Sequence, residues 1–131
     1  MAGGRVVLLD TCALLWLAQG GENLSEKARS RIAAEPAVHV SAISGFEIGL
    51  KHARRKLVLP VPPAEWLEAV LAHHHIAVVP LSLETCVAAT QLAPVHRDPC
   101  DRFIIATAKR YRWPVVTADP VFGEYGIEVI W

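Results

Sequence analysis

The stretch "RVVLLD", residues 5–10, is a short apolar run that is rich in β-branched valine and ends on an aspartate. Such a run is expected of a strand that is buried on both faces. Similar runs predict strands at "AVHVSA" (37–42), "IAVVPL" (76–81) and "WPVVTAD" (113–119), and "IEVIW" (127–131) predicts a short fifth one. Because helical segments separate the strands, we predict an α/β fold with a central parallel sheet of four to five strands, right-handed crossovers and helices on both faces.

Six helices are predicted between these strands, since capping residues, glycines or prolines mark their ends. Ser25 and Ser82 are the expected N-caps of the second and fifth helices, and Pro63 is expected in the first turn of the fourth. The predicted helices lie within residues 11–21, 24–36, 43–56, 63–75, 83–93 and 99–111, and the second is expected to end before Pro36. With 131 residues, the chain is predicted to form one domain, residues 1–131.

The composition is typical of a globular protein, with 53% hydrophobic and 20% charged residues. No apolar run approaches the roughly 20 residues of a membrane span, so no membrane association is expected. Residues 1–17 contain Asp10 and no small-residue cleavage signal, so we predict no signal peptide. Cys12, Cys86 and Cys100 are predicted to be reduced thiols of a cytoplasmic protein, because their number is odd and they form no CxxC motif.

The formal net charge is zero, with 13 basic and 13 acidic residues, which argues against a broad basic surface for duplex nucleic acid. Basic residues nevertheless cluster in two places. One cluster comprises Lys51, Arg54, Arg55 and Lys56, and the other comprises Arg97, Arg102, Lys109, Arg110 and Arg112. Each cluster is interpreted either as a solvated helix face or as a local rim that attracts phosphates.

The acids are distributed unevenly, with nine glutamates but only four aspartates. Asp10 and Asp119 are predicted to be the last residues of the first and fourth strands. Glu47 is predicted early in the helix that leaves the second strand, and Asp101 at the start of the helix that leads into the fourth. These positions lie at the carboxyl edge of a parallel sheet, where such folds bind ligands. We expect the four groups to converge if the first and fourth strands are neighbours.

Helix capping is an alternative explanation for each acid. The strand-end aspartates are plausible N-caps, Ser44 and Glu47 fit a capping box, and Asp98 with Asp101 fits a variant of it. Capping does not explain why four acids would share one edge. Carboxylates a few ångströms apart repel, so protons or a divalent cation must neutralise them. With oxygen ligands and no histidine at ligand spacing, we predict Mg²⁺ or Mn²⁺.

Five segments together resemble a known family: "LLDTCALLWL" (8–17), "VSAISGFEIGLK" (40–51), "KLVLPVPP" (56–63), "HRDPCDRFIIATA" (96–108) and "VVTADPVF" (115–122). In order and spacing they are similar to motifs of the PIN-domain ribonucleases, and most of all to the VapC-type toxins of bacterial type II toxin–antitoxin pairs. The resemblance covers Val6 to Trp131. It implies a PIN domain with a Rossmann-like α/β/α sandwich, and a Mg²⁺- or Mn²⁺-dependent endoribonuclease that hydrolyses RNA phosphodiester bonds.

The resemblance also implies roles for individual residues. The catalytic and metal-binding quartet would be Asp10, Glu47, Asp101 and Asp119. Within it, Glu47 would complete the metal shell or position the attacking water. The supporting residues would be Thr11, Asp98 and Thr117. Local backbone hydrogen bonds and helix capping are the alternatives for these three. The implied contacts to a single-stranded or loop RNA would be Lys51, Arg54, Arg55 and Arg102.

The partners implied by the resemblance are a VapB-type antitoxin, which commonly blocks the acidic pocket with an arginine, and a second copy of the chain in a homodimer. The apolar candidates for these surfaces are Trp16, Leu17, Trp66 and Leu67. Alternatively, these residues belong to the core or its boundary. The chain departs from the family pattern at Cys12, Gly45, Phe46 and Cys100. These differences change the shape of the pocket without removing an acid.

Two other functions stay open. The chain could be a catalytically inactive PIN-fold binding module that has kept its acids. An aspartyl-phosphate phosphotransferase would also place an aspartate at the end of its first strand, but that chemistry usually requires a second acid at position 12, which is a cysteine. His73, His74 and His75 are expected to end the fourth helix rather than to bind a metal, because adjacent helical side chains diverge.

Overall fold

Five parallel strands form the central sheet of the computed structural model, which describes residues 5–131. They are β1 (Val6–Leu9), β2 (Ala37–Ser41), β3 (Ile76–Val79), β4 (Val115–Val116) and β5 (Val129–Ile130). Their order in the sheet is β3-β2-β1-β4-β5, and every neighbouring pair is parallel. The predicted α/β fold is thus confirmed. Residues 1–4, which belong to the predicted domain and to the segment predicted to lack a signal peptide, lie outside the described residues.

Six α-helices and one 3₁₀ helix connect the strands. They are α1 (Thr11–Gln19), α2 (Glu26–Ala34), α3 (Ala42–Ala53), α4 (Pro63–His73), α5 (Leu83–Gln91), α6 (Pro99–Tyr111) and the 3₁₀ helix (Pro120–Tyr125). As predicted, the side chains of Ser25 and Ser82 cap α2 and α5. Gly20 ends α1 with φ at 69°, a left-handed conformation that glycine adopts without steric cost. In residues 5–131, the helices all fall short of the length and apolarity needed to cross a membrane.

The start of α3 differs from the prediction. Its N-cap is Ser41, whose hydroxyl accepts a hydrogen bond from the Ile43 N–H at 3.1 Å. The predicted capping box of Ser44 with Glu47 is therefore wrong, and both residues lie inside the helix with buried side chains. The physical reason is that β2 ends at Ser41 and α3 begins at the next residue, without a loop between them. Ser44 and Glu47 are thereby free for other contacts.

Alternating side chains of β1 divide the core between the two faces of the sheet. Val7 and Leu9 pack in a cluster with residues of α1, α2 and α4, whereas Leu8 packs against α6 and the 3₁₀ helix. All three side chains are fully buried. Burial on both faces explains why the run at residues 6–9 contains no polar residue before Asp10.

The four apolar residues predicted for partner contacts pack within the chain. Trp66 is buried in the cluster that contains Val7, and Trp16, Leu17 and Leu67 are partly buried against that cluster. Intramolecular packing therefore accounts for their apolar character, which favours the alternative that they belong to the core or its boundary. The three cysteines are free thiols, as predicted.

Candidate active site

The carboxyl ends of β1 and β4 bring Asp10 and Thr117 together. The two strands are neighbours, with Leu9 paired to Val116, which meets the condition for convergence of the acids. Asp10 lies directly after β1, not within it, and caps α1 through Oδ1, which accepts from the Ala13 N–H at 2.8 Å. Its Oδ2 accepts a hydrogen bond from the Thr117 hydroxyl at 2.6 Å. Capping therefore explains only one of the two carboxylate oxygens.

Thr117 also links Asp10 to Asp119, because its hydroxyl oxygen accepts from the Asp119 backbone N–H at 3.0 Å. β4 ends at Val116, so Asp119 lies beyond the strand that it was expected to end. Asp119 caps the 3₁₀ helix through Oδ1, which accepts from the Val121 N–H at 3.0 Å. Its other oxygen, Oδ2, contacts His96. A helix cap and a site residue are thus the same side chain.

His96 connects Asp119 to Asp101. Its Nε2 lies 3.0 Å from Oδ2 of each carboxylate. One ligand atom from each of the three residues lies within 4.8 Å of the others, a spacing that suits a metal ion. The expectation that no histidine lies at ligand spacing is therefore wrong. His96 and Asp119 are 23 residues apart in the chain, so local spacing does not reveal their contact. By contrast, His73 and His74 end α4, as predicted.

The start of α6 combines a predicted cap with an unpredicted contact. Asp98 Oδ1 accepts from the Cys100 N–H at 2.9 Å, so the predicted N-cap is confirmed. The capping-box variant is wrong, because the backbone N–H of Asp98 donates to His96 Nδ1 at 3.2 Å instead of to the Asp101 carboxylate. The Asp101 side chain is consequently free to face His96.

Glu47 enters the site from α3 and is only 8% exposed. Its Oε2 pairs with Lys51 Nζ at 3.1 Å, one helical turn later. Burial lowers the pKa of Lys51, but the hydrogen bond and the charge of Glu47 outweigh it and leave that pKa raised. The other carboxylate oxygen of Glu47, Oε1, is buried and has no hydrogen-bond partner among the described residues. A buried carboxylate oxygen without a partner is costly, which indicates that water or a cation satisfies it.

A buried hydroxyl pair lies beside these acids. Thr11 Oγ1 and Ser44 Oγ are 2.8 Å apart, and the bond ties α1 to α3. It thereby links the helices that carry Asp10 and Glu47. Thr11 was expected to hold a carboxylate or to bond locally, so its actual partner is new. The local sequence around Ser44 fits a capping box and gives no sign of this contact, because burial inside α3 is a tertiary property.

Burial and neighbouring acids raise the pKa values of Asp10 and Asp101. Burial raises the pKa of Asp10 from 3.8 to about 6, and the charges of Glu47 and Asp119 add to that shift. Burial likewise raises the pKa of Asp101 to about 7, where the charges of Asp98, Asp10 and Glu47 contribute. Groups from four segments of the chain therefore sense each other electrostatically. Such crowding is typical of functional sites, since it costs stability in the absence of a cation.

The donor set fits a hard divalent cation. Carboxylate oxygens are the ligands that Mg²⁺ and Mn²⁺ prefer. A cation would offset both the burial and the repulsion that raise the pKa values of Asp10 and Asp101. The unpartnered Oε1 of Glu47 is a further available oxygen. Within residues 5–131, the group already at ligand spacing is His96, Asp101 and Asp119, and it does not include Asp10 or Glu47. The cluster can therefore hold a divalent ion.

A groove beside Glu47 combines apolar and basic side chains. Its basic lining residues are Lys51, Arg54 and Lys56. Phe46 also lines the groove and is 58% exposed. Arg55 lines a separate hollow, although it is adjacent in sequence to Arg54. Of the basic residues predicted to contact RNA, Lys51 and Arg54 thus lie next to the acids and Arg55 does not.

Arg102 is engaged by the backbone instead of facing the groove. Its guanidinium donates to the carbonyl oxygens of residues 89, 92, 93 and 96 at distances of 2.8–3.1 Å. These bonds tie the end of α5 and the following loop to α6. An arginine whose donors already point at four carbonyl groups is poorly placed to bind a phosphate. The Arg102 guanidinium thus anchors this loop, in contrast to its predicted contact with RNA.

Comparison with known proteins places the chain in a family. Residues 7–128 match the PIN domain family. Ribonuclease VapC22 of Mycobacterium tuberculosis is 32% identical over 114 residues, which are 86% of this chain and 86% of that protein. Both matches span most of the chain, and the PIN domain match includes every acid of the quartet.

Solved structures share the fold at lower identity. The VapC20 toxin of Mycobacterium tuberculosis, described as cleaving the sarcin-ricin loop, aligns with a TM-score of 0.67 at 16% identity, covering 95% of this chain and 99% of that one. VapBC2 of Rickettsia felis, bound to a DNA fragment from its promoter, aligns with a TM-score of 0.66 at 12% identity, covering 95% and 97%. From the PIN domain match and the similarity to VapC22, we conclude that the chain belongs to the PIN-domain family and to its VapC-type members.

Proposed function

We propose that this chain is a Mg²⁺- or Mn²⁺-dependent endoribonuclease and the toxin of a VapBC-type toxin–antitoxin pair. The observation that carries the proposal is the convergence of carboxylates at one edge of the sheet. Thr117 joins Asp10 to Asp119, and His96 Nε2 lies 3.0 Å from the carboxylates of both Asp119 and Asp101. Crowding of like charges disfavours folding, whereas a nuclease site needs it to bind its cation. The similarity to Ribonuclease VapC22 supports the same activity.

The quartet has two roles in this proposal. Asp10, Asp101 and Asp119 would hold the metal, and Glu47 would complete the set. A bound ion of this kind lowers the pKa of water and offsets charge on the phosphoryl oxygens. Glu47 Oε1 has no hydrogen-bond partner among the described residues, so it is available to orient the attacking water by accepting its hydrogen. The Thr117 hydroxyl holds Asp10 and Asp119 in a fixed relation.

The substrate in this proposal is a single-stranded or loop RNA that lies in the groove beside Glu47. Lys51 and Arg54 line that groove and supply positive charge for phosphates. The exposed ring of Phe46 offers a surface on which a base can stack, as is common in proteins that bind single strands. Hydrolysis would leave a 3′-hydroxyl and a 5′-phosphate. The neutral overall charge of the chain agrees with a local basic groove rather than a surface for duplex.

The partners in this proposal are a VapB-type antitoxin and a second copy of the chain, in the cytoplasm. The Rickettsia felis relative is a VapBC2 assembly, which supports an antitoxin partner. An antitoxin that blocks the site needs positive charge to pair with the carboxylates that gather there.

Two other functions have less support. An aspartyl-phosphate enzyme usually requires a second acid at position 12, which is a cysteine in this chain. A PIN-fold binding module without catalysis would keep the acids and lack cleavage. Activity measurements separate it from a nuclease.

The test is cleavage of a random-sequence pool of single-stranded RNA with Mg²⁺ or Mn²⁺. We expect cleavage by the unaltered chain and loss of at least about a hundredfold in Asp10→Asn and Asp101→Asn, because each removes a charge from the metal-binding set. Glu124→Gln is the matched control, since Glu124 is an exposed acid outside the quartet, and should cleave normally. Cleavage that survives both aspartate substitutions, with circular dichroism showing folded variants, would contradict the proposal.

A further inference from the structure

His96 occupies the centre of the contacts between Asp101 and Asp119. Its Nε2 hydrogen-bonds to Oδ2 of Asp119 at 3.0 Å and lies 3.0 Å from Oδ2 of Asp101. The imidazole is only 13% exposed, and its ring packs edge-on against Phe122 with ring centroids 5.8 Å apart. The spacing alone would suit a third metal ligand. The contact made by the other ring nitrogen, Nδ1, shows whether Nε2 can bind a metal or carries a hydrogen and donates it.

Nδ1 of His96 faces a hydrogen-bond donor. The backbone N–H of Asp98 points at it from 3.2 Å, and a backbone N–H can only donate. Nδ1 must therefore accept, which places the ring hydrogen on Nε2. An Nε2–H donates to carboxylates and has no lone pair for a metal. Metal ligation through Nε2 would require the hydrogen on Nδ1, where it would oppose the Asp98 N–H.

The backbone around His96 holds the ring in this orientation. The His96 N–H donates to the Tyr125 hydroxyl at 2.8 Å, and that hydroxyl donates in turn to the Ala93 carbonyl at 2.6 Å. The His96 carbonyl accepts from Arg102 Nη1 at 2.9 Å. Both neighbouring elements, α6 and the 3₁₀ helix, therefore fix the loop that carries the imidazole. A side chain held by its backbone and its far nitrogen is preorganised for one contact.

We propose that His96 is a positioning residue that donates from Nε2–H to the Asp119 carboxylate and holds Asp101 beside it, and that it does not itself bind the metal. This inference rests on the proposed nuclease function. His96 spans the gap between α6 and the segment after β4, which the sheet does not join directly. It thereby holds one carboxylate from α6 and one from the segment after β4 beside the same ion.

Two substitutions separate the two nitrogens of the ring. In His96→Gln, the amide NH₂ can take the place of Nε2–H and donate to the carboxylates, but nothing accepts from the Asp98 N–H. In His96→Asn, the amide oxygen can take the place of Nδ1 and keep that local turn, but the side chain is too short to reach Asp119. A role in positioning the acids predicts that the glutamine variant retains function and the asparagine variant loses it.

The measurements are steady-state RNA cleavage and calorimetric titration of the RNA-free chain with Mg²⁺. In His96→Asn we expect kcat to fall at least about tenfold with KM for RNA unchanged, and Mg²⁺ affinity to fall about tenfold, as typical for partners of metal ligands. In His96→Gln both should stay within about threefold of the unaltered chain. A normal asparagine variant, or a glutamine variant as impaired as the asparagine one, would overturn the inference.

Nitrogen NMR of the imidazole tests the tautomer without any activity. Long-range proton–nitrogen spectra should show Nε2 protonated and Nδ1 unprotonated, both without metal and at saturating Mg²⁺. Loss of the hydrogen from Nε2 when Mg²⁺ is added would identify His96 as a ligand and refute the positioning role. If the unaltered chain cleaves no RNA, the proposed function fails, but the spectra and the calorimetry still report on His96.

Discussion

The two sides of the acidic site are held by different parts of the fold. The inner side, Asp10 with Thr117, is built on β1 and β4, which are hydrogen-bonded neighbours in the sheet. The outer side joins His96 and Asp119, which lie outside the helices and strands, to Asp101 in the first turn of α6. Asp10 is 6% exposed, whereas the Asp119 side chain is 36% exposed. The inner side is therefore part of the core, and the outer side depends on a loop.

The two sides also differ in what offsets the free-energy cost of burying charged acids. Burial is the first cause of the raised pKa values of Asp10 and Asp101, so neither acid is well solvated. Hydrogen bonds from Thr117 and from the start of α1 offset part of the cost at Asp10. On the outer side, His96 supplies a hydrogen bond to Asp119. A change in pH or in metal concentration therefore affects the acids of both the inner and the outer side, whereas a single substitution affects one side.

The largest expected effect is a dependence of stability on pH that Mg²⁺ removes. The pKa of Asp10 is about 6 and that of Asp101 about 7 in the folded chain, against 3.8 without the fold. Between those values the folded state binds protons more tightly than the unfolded state. The free energy of unfolding should therefore rise as pH falls from 7.5 to 5. We expect a rise on the order of 2 kcal/mol, less than the two shifts would give separately, because protonating one acid relieves the repulsion on the other.

Denaturant unfolding measures this effect at both pH values, once with EDTA and once with about 10 mM Mg²⁺. Mg²⁺ binds the charged acids, so it should stabilise the chain more at pH 7.5 than at pH 5. Burial lowers the pKa values of His39 and His74, which opposes the trend. The difference between the metal-free and Mg²⁺-bound curves isolates the acids. Equal stabilisation by Mg²⁺ at both pH values would show that the acids do not bind it.

The next effect should come from Thr117→Val, which breaks the inner side. The hydroxyl donates to Asp10 and accepts from the Asp119 N–H, so the substitution leaves two partners unsatisfied at nearly constant volume. We expect a loss of about 1–2 kcal/mol of stability and about a tenfold fall in kcat. Thr107→Val is the matched control, since this buried hydroxyl donates to the Phe103 carbonyl within α6. Comparable loss of kcat in both variants would mean that Thr117 matters only for folding.

The same division explains what the sequence predicts and what it does not. The apolar run ending at Asp10 and the order of strands and helices predict the sheet edge, because burial on both faces and capping are local signals. That order also predicts that the four acids converge if β1 and β4 are neighbours, and the two strands are neighbours in the sheet. His96 and Ser44 escape, since their partners lie 23 and 33 residues away and no local period reports such contacts. Boundaries also shift, as at Ser41, where strand passes directly into helix.

A smaller effect is expected from Arg102→Lys, which loosens the outer side. One ammonium group cannot reach the four carbonyl groups that the planar guanidinium bridges. We expect a loss of about 1 kcal/mol in stability and a fall of roughly threefold in kcat, with KM for RNA unchanged. Arg97→Lys, an exposed residue of the same loop, serves as the control. A raised KM with normal kcat would instead restore Arg102 as an RNA contact.

The smallest effect should separate two adjacent arginines at the end of α3. Arg54 lines the groove beside Glu47, and Arg55 lines a different hollow, although both are exposed. If RNA follows the groove, Arg54→Gln removes one phosphate contact, so KM should rise about threefold at low salt and the salt dependence of KM should weaken. Arg55→Gln should change neither quantity, because its side chain lies away from the RNA path. Equal effects of the two substitutions would indicate that this helix end attracts RNA only through its total charge, and that the groove does not direct the strand toward the acids.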